Sequence, residues 1–115
     1  MSETTILPIL GLTLSSVTVN RESDEIAFVT EGGRKFAMEH CQDCCERVVV
    51  EDICGELSDL LNSPITLAEE TTEEGDCQTW TFYRIGTAKG MVTIRWNGES
   101  NGYYSERVDF WEVRK

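Results

Sequence analysis

Alternation of apolar and polar residues is the main signal in this chain, and it is clearest in the last third. Gln78–Ile85 puts Trp80, Phe82 and Arg84 on one side and Thr81, Tyr83 and Ile85 on the other. Met91–Asn97 groups Val92, Ile94 and Trp96 against Met91, Thr93 and Arg95. Tyr103–Val113 sets Tyr104, Val108 and Phe110 against Tyr103, Arg107 and Trp111. A repeat of two residues is the signature of a half-buried strand. With turns at Gly86–Gly90 and Gly98–Gly102, the three runs predict a meander of neighbouring antiparallel strands. Upstream, Leu12–Asn20 is strand-like, and Asp24–Thr30 and Arg34–Glu39 flank Glu31-Gly32-Gly33 as a hairpin.

The middle of the chain breaks the alternation. Arg47–Val50 reads as a short buried strand, and Ile65–Thr71 as a further one, followed by an acidic loop over Thr71–Asp76. Leu57, Leu60 and Leu61 fall at helical spacing between Gly55 and Pro64, which predicts a helix of about two turns over Gly55–Leu61. The expectation is an α+β fold: a dominant antiparallel β-sheet with one or two short helices, in a single small domain over residues 1–115. A chain of 115 residues has no length for a barrel enzyme or a two-halved dinucleotide fold.

Charge narrows the partners. The net charge is −11, which repels nucleic-acid polymers and anionic membrane alike. It is also unevenly spread: residues 1–77 hold seventeen acids and four bases, and residues 78–115 hold four acids and six bases. The cations thus gather on the predicted C-terminal strands. Met1–Leu10 lacks a basic leader, and the apolar run Ile6–Leu10 is broken by Pro8 and too short to span a bilayer. Five cysteines, an odd number, in a chain without an export signal read as thiols.

Most local motifs fail on chemistry. Gly98-Glu99-Ser100-Asn101-Gly102 matches G-x-S-x-G, but its flanks are strands and the one histidine, His40, lies upstream, so it reads as a hairpin loop. Cys41 and Cys44 form half of a zinc-ligand pattern, short of the four ligands a closed site needs. His40 reads as a hydrogen-bonded structural residue. The acids of 51–59 and 69–76 lack the ligand spacing of a calcium loop. The expectation is no metal, no cofactor and no catalysis. What remains is Arg84, Arg95 and Arg107 among Trp80, Phe82, Trp96, Tyr103, Tyr104 and Trp111. Guanidinium forks suit phosphate oxygens, and aromatic faces suit a nucleobase. From composition alone the same residues read more readily as core aromatics, with arginines paired to local acids such as Glu99, Glu106 and Asp109.

A resemblance shifts that balance. The blocks His40-Cys41-Gln42-Asp43-Cys44-Cys45-Glu46-Arg47-Val48, Glu51-Asp52-Ile53-Cys54-Gly55-Glu56-Leu57, Ser63-Pro64-Ile65, Ala68-Glu69-Glu70, Trp80-Thr81-Phe82-Tyr83, and Arg95-Trp96-Asn97-Gly98-Glu99-Ser100-Asn101-Gly102-Tyr103-Tyr104-Ser105 lie within about residues 36–110. Together they resemble the Thoeris anti-defence proteins of bacteriophages. The resemblance implies a non-enzymatic sponge in the host bacterial cytoplasm, which captures the cyclic ADP-ribose isomer made by TIR-domain enzymes and, in some members, cyclic oligonucleotides. It also implies a homodimer or higher homo-oligomer, because that family's ligand pocket involves subunit interfaces. The candidate ligand-binding residues are Phe82, Arg84, Arg95, Trp96, Asn101, Tyr103 and Arg107, with the arginines on the diphosphate, an aromatic on the base, and Asn101 on a base or ribose edge. Two other readings compete: an acidic nucleic-acid mimic that binds a basic host protein through residues 39–76, and an enzyme that alters the nucleotide.

Overall fold

The computed structural model describes residues 6–40, 46–100 and 106–113. The eight strands among them are β1 (Leu14–Val19), β2 (Glu25–Thr30), β3 (Lys35–Glu39), β4 (Arg47–Cys54), β5 (Leu67–Gly75), β6 (Gln78–Thr87), β7 (Gly90–Glu99) and β8 (Asp109–Val113). They form two antiparallel four-stranded sheets, ordered β1-β2-β3-β8 and β4-β7-β6-β5. The inner faces share one core. Ile26, Phe28, Phe36, Met38 and Phe110 come from the first sheet, and Val48, Tyr83, Ile85, Val92, Ile94 and Trp96 from the second. Burying such side chains contributes about 1.5–3 kcal/mol each. Phe110 stacks on Phe36 at 5.4 Å and meets Phe28 edge-on at 5.6 Å. Polar contacts between the sheets include Trp96 Nε1–H, which donates to Met38 Sδ at 3.2 Å, and the Tyr83 hydroxyl, which reaches the Val108 carbonyl just before β8 at 3.5 Å.

The fold is therefore all-β, and the α+β expectation is corrected. The segment expected as a two-turn helix is a single 3₁₀ turn, Leu57–Leu60. Gly55 enters it at φ 110, where an added Cβ would lie 2.7 Å from the Met91 carbonyl oxygen, so the chain is committed to a turn before any helix can start. Asn62, at φ 64, ends it, and Leu61 bridges to Leu14 in extended conformation. One turn suffices to bury Leu60 completely. No helix among the described residues is long and apolar enough to cross a membrane.

Two further expectations change. The acidic stretch Thr71–Asp76 is mostly strand, since β5 runs unbroken beside β6 from Leu67↔Gly86 to Gly75↔Gln78. The turn falls later, at Asp76 and Cys77, with Cys77 at φ 56. The C-terminal meander is also incomplete. β6 and β7 form the expected hairpin, but β8 crosses to the other sheet and pairs with β3, Ala37 opposite Trp111. The N-terminal hairpin β2–β3 stands where the Gly32-Gly33 turn placed it.

Candidate functional site

The outer face of the β4-β7-β6-β5 sheet carries the arginine and aromatic side chains in ordered rows. β6 presents Gln78, Trp80, Phe82 and Arg84 outward, because its alternate residues Thr81, Tyr83 and Ile85 go to the core. β7 presents Thr93, Arg95 and Asn97 on the same side, opposite Val92, Ile94 and Trp96. The register makes Phe82 the cross-strand partner of Arg95, Trp80 the partner of Asn97, and Arg84 the partner of Thr93. Direct partners on one face have Cβ atoms about 4.5–5.5 Å apart. Phe82 and Trp80 are half-buried. The Trp80 ring leans over Gly75 on β5, where an added Cβ would sit 3.1 Å from Cζ3, a contact tight enough that the indole would have to shift. Asn97 Nδ2 donates to Gln78 Oε1 at 3.3 Å and closes that end of the face.

Both arginines already hold carboxylates. Arg84 Nη2 lies 2.7 Å from Glu69 Oε1 on β5, and Arg95 Nε lies 2.8 Å from Glu51 Oε1 on β4. The second contact is an ion pair without hydrogen-bond alignment, since the buried Arg95 Nε–H has no acceptor in line. A bulge explains how Glu51 gets there. The β4–β7 register passes from Val50↔Trp96 to Asp52↔Arg95, so Glu51 and Asp52 together oppose one arginine. All four side chains of these pairs are 41–48% exposed. Exposed pairs of this kind contribute only about 0–1 kcal/mol. Cys54, the partner of Thr93, borders the same face. Its thiol points to Asp52 Oδ2 at 3.5 Å, and that hydrogen bond and charge push it above the ordinary thiol range.

The other candidates separate. Trp96 is fully buried on the opposite side of β7 and belongs to the core. Arg107 lies just before β8, on the other sheet, 3.6 Å from Asp109, and does not join Arg84 and Arg95. Asn101 and Tyr103 lie outside the described residues, as do Cys41, Cys44 and Cys45. Trp80 and Asn97 belong to the face and were absent from the expected set. The alternation that selected Phe82 and Arg84 also selects Trp80, and the alternation through Thr93 and Arg95 also selects Asn97, which the register pairs with Trp80. Among the described residues no group of three His, Cys, Asp or Glu side chains is placed to hold a metal.

A second polar cluster joins the sheets. His40 Nδ1 lies 2.6 Å from the Arg107 carbonyl oxygen and Nε2 lies 2.6 Å from Glu46 Oε2, with side-chain exposures of 4% and 0% for His40 and Glu46. A carbonyl only accepts, so Nδ1 donates to Arg107, and Nε2 faces the Glu46 carboxylate. With both ring nitrogens engaged, His40 is a strut between the end of β3 and the segment before β8. Next to it, the Glu106 carboxylate accepts from Thr79 Oγ1 at 2.6 Å and from the Ser100 hydroxyl.

The geometry defines a small, two-sheet antiparallel β protein with one open arginine–aromatic sheet face and a pinned polar junction between its sheets. The chain belongs to the family described as domain of unknown function DUF7448, whose model matches residues 8–110. No curated protein and no solved structure matches it.

Proposed function

We propose that the protein is a binding module that captures a phosphate-bearing nucleotide on the outer face of β6 and β7 and holds it without chemical change. The observation that carries this reading is the register pair Phe82–Arg95, flanked by Trp80 and Arg84 on the same open face. A base stacked on an aromatic ring gains about 1–3 kcal/mol. A phosphate displaces Glu51 or Glu69 from its arginine at little expense, because exposed pairs are weak and a phosphate oxygen pair fits the guanidinium fork bidentately. Two arginines on neighbouring strands suit a ligand that offers two phosphates.

The ligand class implied by the resemblance, a cyclic ADP-ribose isomer, meets these demands with one adenine and one diphosphate. Removing it from solution in the bacterial cytoplasm would silence a TIR-derived immune signal. An open sheet face leaves one side of a ligand in water, so tight retention calls for a second copy of the chain to close over it. The test is equilibrium dialysis of the cyclic ADP-ribose isomer against wild type, Phe82→Ala and Arg95→Ala. Each substitution is expected to weaken binding at least about tenfold. Unchanged binding in both variants overturns the placement.

A further inference from the structure

The first sheet ends in a strand with an open side and an unusual pattern. Among the described residues β8 has one neighbour, β3. It exposes Trp111 and Val113, 37% each, two of the four most exposed large apolar side chains among those residues. Trp111 faces the same side as Asp109, and the register continues from Asp109 to Glu39 and from Glu39 to Glu25. Three acids therefore stand in one row across β8, β3 and β2. Like charges placed directly opposite destabilise a sheet. Burial, with Glu25, Asp24 and Asp109 nearby, pushes the Glu39 carboxyl above its usual range. Beside the row lies a cavity of about 810 Å³ whose lining includes Glu22, Asp24, Glu25 and Glu39, together with Arg47.

β5, one of the two edge strands of the other sheet among the described residues, shows by contrast what a protected edge looks like. It carries Glu69, Glu70, Glu73 and Glu74, acids on both faces, and no exposed large apolar side chain. That pattern resists strand pairing. β8 also has an acid on each face, Asp109 and Glu112, but Arg34 takes up Glu112, and Trp111 and Val113 leave apolar contact area beside Asp109.

We propose that the free edge of β8 accepts an extended basic segment of a partner protein as an added strand. An apolar side chain of the segment rests against Trp111, and a lysine or arginine two residues along it lies against Asp109 and reaches toward Glu39, one strand spacing of about 4.8 Å further in. Backbone pairing supplies affinity, and the alternate side chains supply specificity, as in other strand-addition complexes. A second copy of this chain is a poor occupant: it carries −11 overall, and its own β8 would set acid against acid.

The probe is the peptide Lys-Thr-Val-Thr-Lys-Thr with capped ends, whose lysines and valine share one face, compared with Glu-Thr-Val-Thr-Glu-Thr. Calorimetric titration at low and high salt gives the affinity, and amide hydrogen exchange locates the contact. The basic peptide is expected to bind, to slow exchange on β8, and to weaken steeply with salt. The combined variant E25Q/E39Q/D109N and the surface variant W111S, each checked for native circular dichroism, should each weaken binding at least about tenfold. No binding of the basic peptide, equal binding of the acidic one, protection on β5 instead of β8, or affinity unchanged in both variants overturns the proposal.

Discussion

Gly98→Ala tests how the segment before β8 is locked onto the second sheet. Gly98 lies in β7 opposite Val48 and Thr79. A Cβ there would stand 2.8 Å from Glu106 Cβ, 2.8 Å from the Glu106 carbonyl oxygen and 3.2 Å from Val48 Cγ2. Carbon–carbon contacts settle at about 3.5–4.0 Å, so the overlap approaches 1 Å against backbone that cannot rotate away. Relief requires residues 106–108 to move outward. That motion stretches the bond from His40 Nδ1 to the Arg107 carbonyl and the bond from Thr79 to Glu106, both 2.6 Å, and the longer Tyr83 contact to Val108. Overpacking costs about 1–3 kcal/mol and a weakened hydrogen bond about 1 more. The expected loss is therefore about 2–4 kcal/mol, or a melting temperature lower by about 8–16 °C in a domain of this size. Gly32→Ala is the control. Its new Cβ meets nothing nearer than Thr30 Oγ1 at 3.9 Å, and it should stay within about 0.5 kcal/mol of wild type. Thermal unfolding followed by circular dichroism decides. Gly98→Ala melting within about 2 °C of wild type would refute this packing.

Two other substitutions probe the charged groups. Glu39→Gln should stabilise the protein at pH 7 by about 0.5 kcal/mol, because the folded state holds that carboxyl above its unfolded value. The penalty of the charge is complete above the folded value and vanishes below the unfolded one. The gain should therefore fade as pH falls through the ordinary carboxylate range, and urea titrations at neutral and acid pH that show no such convergence would contradict it. His40→Ala removes the strut between Glu46 and the Arg107 carbonyl and should cost about 3 kcal/mol in urea denaturation, whereas a loss under 1 kcal/mol would mean that the junction is not tied through the ring.

Period-two alternation carries face information reliably and neighbour information not at all. The outward set Trp80, Phe82 and Arg84 and the inward set Val92, Ile94 and Trp96 were readable directly. Trp96 belonged with Val92 and Ile94 by that same rule, and its aromatic character alone put it among the ligand residues. Nothing in the alternation of Tyr103–Val113 says that β8 leaves β7. The choice is made by Phe110, which finds Phe36 and Phe28 across the core, and by the strut from His40, separated from Arg107 by most of the chain. This crossing is what removes Arg107 from the other two arginines. Leu57, Leu60 and Leu61 have helical spacing, but Gly55 and Asn62, both at positive φ, leave room for one turn. The acids of β5 have low strand propensity, and pairing along all of β6 overrides it. The Glu51 bulge, which delivers a carboxylate to Arg95, has no signature in the local sequence.

The most direct test of the central claim is capture and release. The purified protein is incubated with the TIR-derived cyclic ADP-ribose isomer, washed free of unbound ligand by filtration and heat-denatured, and the released material is identified by mass spectrometry. The account predicts intact ligand in near-stoichiometric amount from wild type and little from Phe82→Ala or Arg95→Ala. A chemically altered product, or no retained nucleotide from wild type, would contradict it.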